Sequence, residues 1–423
     1  MIAPGNVTVE IDAEQRGLPD QFDLPLFHQF ARKRLAQRLA GFDPATRQMP
    51  AADVAVLDQK YTVFAVKHDG AYAECHAARK SPVEMKEPPQ CRLKTSSQAL
   101  HHRCQNLALG ITLILASRLP ACQYILMAAF TLAHLSDPHL PPLPSPRLSE
   151  LMGKRALGYL NWTRNRHQYH RRDVLDVLMS DLQAQVPDHI AVTGDLVNLA
   201  LEAEFAPAKA WLESVGPPER VTVVPGNHDA YVGATAGRFA DEWESYLAGD
   251  DAAADGAIFP ALRRRGPLAL IGVSSGVPTP PLMATGWLGK DQMDALERLL
   301  ATLSSEPAFR ILLIHHPLRS KARAKRLTDA PELLSLLKQH GVELVLHGHD
   351  HVHSTMWVEG PEESSIPVIG VPSASARAHG HYPDAAYNLF SITREGGGWR
   401  CRQTVRGINE ALQVREIRRV QLM

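Results

Sequence analysis

The chain has 423 residues, 45% hydrophobic and 21% charged, enough apolar material for one large core or two smaller ones. Lysine plus arginine and aspartate plus glutamate both number 45, so net charge gives no reason to expect nucleic acid or an acidic tail as partner. Five cysteines, at 75, 91, 104, 122 and 401, show no CxxC spacing; they argue against a cysteine-built metal site and make the cytoplasm the expected address.

In chain order, residues 1–126 come first, with four of the five cysteines and basic, proline-rich pieces such as Lys86–Lys94. They lack a sustained sequence of strand and helix signals. No charged-then-apolar leader opens the chain, and the apolar stretch Leu107–Ala116 meets Arg118 and Pro120 before the roughly 20 residues that span a bilayer. We expect this part to be a poorly ordered extension, read from a start codon upstream of Met127; a small accessory domain is the rival reading. Residues 127–423 form the expected main domain. Strands are predicted near 130–135, 189–193, 220–224, 268–273, 309–314 and 342–346, and helices near 171–186, 202–214, 237–248, 289–304 and 331–340. Their alternation indicates an α/β core. Beyond residue 350 only strand-like runs follow, at 354–358, 366–371, 386–393 and 399–405, which suggests a second, more antiparallel sheet.

Five predicted strands end in polar clusters. They are Asp137-Pro138-His139, Gly194-Asp195, Gly226-Asn227-His228-Asp229, His315-His316-Pro317 and Gly348-His349-Asp350-His351. One Asp-x-His at a strand end is more often a turn. Five such ends gathered at one sheet rim would bring about seven nitrogen and oxygen ligands into one cleft. Carboxylate, imidazole and amide oxygen without thiolate suit Mn, Fe, Co or Zn. Two such ions need one bridging group, and together they clamp the attacking and leaving oxygens of a phosphoryl transfer. A glycine before a ligand lets the backbone turn tightly.

This ordered set resembles the calcineurin-like metallophosphoesterases over residues 130 to about 395, closest in pattern to bacterial phosphodiesterases of cyclic nucleotides and glycerophosphodiesters. The resemblance implies a four-layer α-β-β-α sandwich of two mixed sheets with a dinuclear metal site at the strand C-terminal ends. It implies two divalent transition-metal ions (manganese, iron, cobalt or zinc), one on Asp137, His139 and His351, the other on Asn227, His315 and His349, with Asp195 bridging. His228 would face the substrate phosphate, stabilising charge or protonating the leaving oxygen, and Asp229 would orient His228. The family pattern His-x-Pro selects His315 over His316, since Pro317 sets the register. Hydrolysis of a phosphodiester through a metal-bridging hydroxide follows. His167, His170, His347 and His353 are read as structural.

The segment Leu151–Arg172 holds Lys154, Arg155, Arg164, Arg166, Arg171 and Arg172 among Tyr159, Leu160, Trp162 and Tyr169, with no acid. One reading is a solvated helix whose stems cover apolar surface. The other is a flap that offers Arg164 and Arg166 to an anionic, partly apolar substrate or touches an anionic membrane surface. The small-residue loop Gly370–His381 would present Arg377 or His381. The expected partner is a small phosphodiester rather than nucleic acid. A lipid-linked pyrophosphate hydrolase at the membrane surface and a non-catalytic scaffold stand as alternatives. Oligomeric state is not legible.

Overall fold

A computed structural model describes residues 61–68, 71–78, 129–251 and 256–423. Most of the expected extension, residues 1–126, lies outside the described residues. Within the first unit, Met1–Ala128, strands β1 (Tyr61–His68) and β2 (Ala71–Ala78) pair antiparallel from Tyr61↔Ala78 to His68↔Ala71. The sequence between them is Asp69-Gly70, a two-residue hairpin signal that our sequence reading passed over.

The second unit, Ala129–Met423, carries the α/β pattern. In order come β3 (Phe130–Leu135), α1 (Lys154–Asn161), α2 (Arg172–Ala184), β4 (His189–Val192), α3 (Glu202–Val215), β5 (Val221–Val223) and α4 (Arg238–Leu247). Then follow β6 (Ala261–Arg265), β7 (Leu268–Gly272), α5 (Lys290–Leu303), β8 (Phe309–Leu313), α6 (Ala330–His340) and β9 (Leu344–His347). The chain closes with β10 (Ser354–Glu359), β11 (Ser365–Gly370), β12 (Ala386–Glu395), β13 (Gly398–Ile408) and β14 (Val414–Gln421). Between α1 and α2 the backbone makes a π-helical turn, Trp162–Arg166, and a short helical turn, His167–Tyr169.

Two six-stranded mixed sheets result, in the orders β14-β13-β12-β3-β4-β5 and β10-β11-β9-β8-β7-β6. β3, β4 and β5 run parallel, as do β11, β9, β8 and β7, while the other pairs are antiparallel. Alternation along each strand assigns the layers. Leu132 of β3 and Phe309, Ile311 and Leu313 of β8 share one core between the sheets. Their neighbours Ala133 and Leu135 face a core with α2, α3 and α4, whereas Leu312 faces one with α5 and α6. The result is four layers, helix, sheet, sheet, helix. The helices dock for ordinary reasons of period: α2 buries Val174, Leu175, Leu178, Met179 and Leu182 on one side. Each such side chain contributes roughly 1.5–3 kcal/mol relative to exposure.

Within the second unit two strands had no sequence expectation, β6 and β14, and both are rich in arginine. Arg263 of β6 is buried because its guanidinium donates to four backbone carbonyls, those of Pro218, Val221, Ser245 and Ala248. β14 is an outermost strand with its charged residues exposed.

Candidate metal centre

All seven residues expected as ligands meet beyond the C-terminal ends of β3, β4, β5, β8 and β9. The loops after β3 and β4 continue their strand pairing in register: Asp137 N–H donates to Gly194 O (3.0 Å), His139 N–H to Asp195 O (3.0 Å) and Leu140 N–H to Leu196 O (2.9 Å). Five of the seven sit in the left-handed region, Asp137 (φ 53°), His139 (38°), Asp195 (56°), His349 (69°) and His351 (54°). For a non-glycine residue that conformation is uncommon and costs about 1–3 kcal/mol, which the surrounding bonds must overcome. Gly348 has a separate reason to be glycine: a Cβ there would overlap Ser136 Oγ and Asp137 Oδ2.

The donor atoms form two groups with one shared member. Asp137, His139, Asp195 and His351 converge in one, and Asp195, His315 and His349 in the other, with the ligand atoms of each group within 4.8 Å of one another. In the first, His351 Nε2 lies 3.0 Å from Asp137 Oδ1 and 3.2 Å from His139 Nε2. In the second, His315 Nε2 lies 3.2 Å from Asn227 Oδ1, 3.3 Å from His349 Nδ1 and 3.4 Å from Asp195 Oδ2. The ring tautomers follow from the opposite nitrogens. His139 Nδ1–H donates to Val197 O (3.2 Å) and His315 Nδ1–H to Thr193 O (2.6 Å), so each Nε2 presents a lone pair to the cluster.

Lone pairs of imidazole, carboxylate and amide thus point at one another within 4 Å, an arrangement that requires positive charge between them. The electrostatics show the same demand for positive charge: burial alone would lower the His315 imidazole, but Asp195 and Asp137 pull it up to about 10, so in their field a proton on Nε2 stands where a metal ion would. Burial would raise Asp195, and the surrounding histidines, His315 foremost, hold it well below the carboxylate range. The residues fit two divalent ions, the first on Asp137, His139, Asp195 and His351, the second on Asp195, Asn227, His315 and His349.

His228 lies beside this cluster. Its backbone N–H donates to Asp195 Oδ1 (2.7 Å), its Nδ1–H donates to Asn198 O, and its ring stacks on Tyr231 (centroids 5.2 Å apart). Burial pushes its imidazole down to about 4, against the pull of Asp195. Asp229 does not touch it, which corrects the orienting role expected of that carboxylate. Asp229 Oδ2 instead accepts the N–H groups of Asp195 and Gly226 (both 2.8 Å), and Oδ1 those of Leu196 (2.9 Å) and Val197 (3.1 Å). Four backbone donors in the interior need an acceptor, and only a turned-in carboxylate supplies all of them.

The three substrate arginines separate. Arg166 enters the site, its NH1 donating to His228 Nε2 and its NH2 to His170 Nε2, both at 3.4 Å. Arg164 is exposed on the π-helical turn. Arg377 is turned away from the ligands, its guanidinium held by Asp384 (3.2 Å) and Asn409 O (3.1 Å), which corrects its expected presentation to substrate.

His170, read from the sequence as structural, stands at the site. It is buried, its ring centroid lies 4.8 Å from that of His139, it stacks on Trp162, and one of its ring nitrogens lies within 4.8 Å of the ligand atoms of His139 and His351. Ser373 Oγ, its own proton given to Asp137 O (2.6 Å), and Ser375 Oγ (2.9 Å) flank Nδ1, so Nδ1 carries the proton and Nε2 is the acceptor for Arg166. His316 and His347 make structural bonds, to Ser275 and Ala284 O and to Gly348 O and Ser354 respectively.

Two donor groups sharing a carboxylate at one rim of an α-β-β-α sandwich are the apparatus of a metal-dependent phosphoric ester hydrolase. The profile of the family described as Calcineurin-like phosphoesterase matches residues 130–353, just over half of the chain, and the chain belongs to that family, whose members bind two divalent metals. A dimetal phosphatase from Danio rerio is similar in structure at 12% identity and a TM-score of 0.46, over 68% of this chain and 98% of that one. A purple acid phosphatase from yellow lupin, Lupinus luteus, matches at 13% and 0.44, over 66% and 52%. The NAD nucleotidase of Haemophilus influenzae matches at 11% and 0.39, over 69% and 54%. No curated protein sequence matches the chain. Among the described residues no helix is long and apolar enough to cross a membrane.

Proposed function

We propose that this enzyme hydrolyses a small phosphodiester, of the cyclic-nucleotide or glycerophosphodiester type, with two divalent transition-metal ions. The observation that carries the reading is the pairing of a donor set centred on Asp195 with one guanidinium, Arg166, beside it. The nearest further cation, Lys154, is held on Thr279 Oγ1 and over the Tyr231 ring, so one guanidinium faces a phosphoryl group directly, which suits the single negative charge of a diester better than the two of a monoester.

When bound, the two ions would supply Lewis acidity at the phosphoryl oxygens and a nucleophile at neutral pH. The chain's own residues do the rest. Each terminal nitrogen of Arg166 has two N–H groups; one from each goes to His170 and His228, which leaves the other pair as a fork for phosphoryl oxygens. His228, with Nδ1–H committed to Asn198 O, offers the Nε2 lone pair as a prop for Arg166. In that tautomer it brings no proton of its own to the phosphate, so it serves charge stabilisation through the Arg166 guanidinium rather than by protonating the leaving group. Trp162 and Tyr231 wall the site with aromatic faces.

A second reading, a lipid-linked pyrophosphate, is favoured by one observation, the exposure of Leu157 and Leu160 on α1 next to the arginines. The test is a screen of purified, manganese-supplemented enzyme across cyclic nucleotides, glycerophosphodiesters, nucleotide-lipid pyrophosphates and simple monoesters. Turnover of soluble diesters above monoesters is expected. Activity confined to monoesters overturns the diesterase reading, and activity only on detergent-dispersed lipid substrates transfers it to the second.

A further inference from the structure

Large apolar side chains stand exposed on two segments next to the site. Leu148 (89% exposed), Met152 (74%), Leu157 and Leu160 lie in and before α1; Leu282 (87%) and Trp287 (54%) lie in the loop between β7 and α5. The two segments touch, since Lys154 Nζ donates to Thr279 Oγ1 at 2.6 Å. α1 itself is two-sided: Arg155 is buried, donating to Leu199 O and Ala200 O, while Leu157 and Leu160, three apart, face outward.

Beside the second segment runs Arg319-Ser-Lys321-Ala-Arg323-Ala-Lys325-Arg326, five cations in eight residues with no acid from Arg310 to Thr328. Arg319, Lys321, Arg323 and Arg326 are exposed. This run is laced to the apolar loop by backbone bonds from Ala284 N to Ala324 O (2.7 Å) and from Gly286 N to Arg326 O (3.0 Å). The same loop reaches the metal rim, where Ala284 O accepts from His316 Nε2 at 3.2 Å, the neighbour of His315.

We propose that this face, formed by residues 148–164, 282–287 and 319–326, docks on an anionic lipid bilayer with the catalytic cleft turned toward the membrane. The charge is local, because the whole chain is neutral, and it complements anionic headgroups. The leucines and the tryptophan suit the boundary between headgroups and acyl chains. Nucleic acid would use the cations but leave the leucines without a role. A second copy would set one basic face against another. The inference goes beyond the diesterase reading and stands or falls separately from it.

The test is co-sedimentation of the full chain with vesicles of phosphatidylcholine alone and of phosphatidylcholine with phosphatidylglycerol in equal parts. Binding to the mixed vesicles that weakens with added salt, and none to phosphatidylcholine alone, is expected. Replacing Arg319, Lys321 and Arg323 together by glutamine should weaken binding on the order of 100-fold. Replacing Leu157, Leu160 and Leu282 together by serine should weaken it as well. No binding by the wild type, equal binding to both vesicle types, or wild-type binding by either variant overturns the proposal. So does duplex DNA binding that the serine variant retains while vesicles bind nothing. Soluble bis-aryl phosphate hydrolysis is followed in the same preparations: its absence with vesicle binding intact counts against the diesterase reading and leaves the docking face supported, and the reverse pattern sinks the docking face alone.

Discussion

The strand-end loops and the insert between β3 and α2 border the same cleft and are held by different means. In the loops, two buried carboxylates collect backbone N–H groups. Asp229 takes four, and Glu204 takes those of Asn198 (2.6 Å), Leu199 (3.0 Å) and Leu201 (2.9 Å), so the segment carrying Asp195 is fixed at nearly every residue. The insert is fastened by side chains along most of its length, Arg155 on Leu199 O, Ala200 O and Thr235, Lys154 on Thr279, and His170 on Ser375, with main-chain bonds at its end from Arg171 N to Ser375 O and from Arg377 N to Tyr169 O. The ligand set is therefore built into the main-chain path, while the substrate contacts sit on a segment whose attachment a few substitutions would rewrite.

Substitutions at four positions test that contrast, in decreasing order of expected effect. Asp195→Asn removes the carboxylate shared by both donor groups, and should abolish bis-aryl phosphate hydrolysis and lower the metal content measured on the purified protein. Wild-type metal content together with retained turnover would remove Asp195 from the shared position. Asp229→Ala strips the acceptor from four buried N–H groups, each costing about 1–3 kcal/mol when left bare. Its urea midpoint should fall by an amount equivalent to several kcal/mol, with Asp229→Asn intermediate; an unchanged midpoint would mean the loops are held by something else. Arg166→Gln should raise KM more than it lowers kcat, because the guanidinium mainly contributes uniform binding, whereas Arg164→Gln should leave both parameters near wild type. Equal effects at the two positions would show that the insert is not placed as described.

The ligand cluster was legible because each strand is a short apolar run stopped by glycine or proline and a polar group, a purely local signal. What escaped depends on distant partners. His170 reads as one more residue of a basic stretch, yet its place is set by pairing with Ala376 and by two serines some 200 residues on. β6 reads as too charged for a strand, since the four carbonyls that satisfy Arg263 come from residues 218 to 248. Asp229 follows His228 directly, which suggests contact, but its carboxylate is turned back onto the preceding loops. Arg377 was placed by its loop alone, and Asp384 captures it.

The left-handed backbone at five ligand positions restricts which replacements are informative. Aspartate, asparagine and histidine are the non-glycine residues most often found there, and β-branched or bulky side chains are the worst suited. An exchange of Asp137 or Asp195 for asparagine therefore changes charge at nearly constant conformational cost, whereas valine or threonine would add backbone strain before any effect on the ions could be read. A relative of this enzyme that had lost its metals could still be recognised by small polar residues or glycine at these same turns, so residue identity alone, without metal analysis, would overstate how many such chains are active.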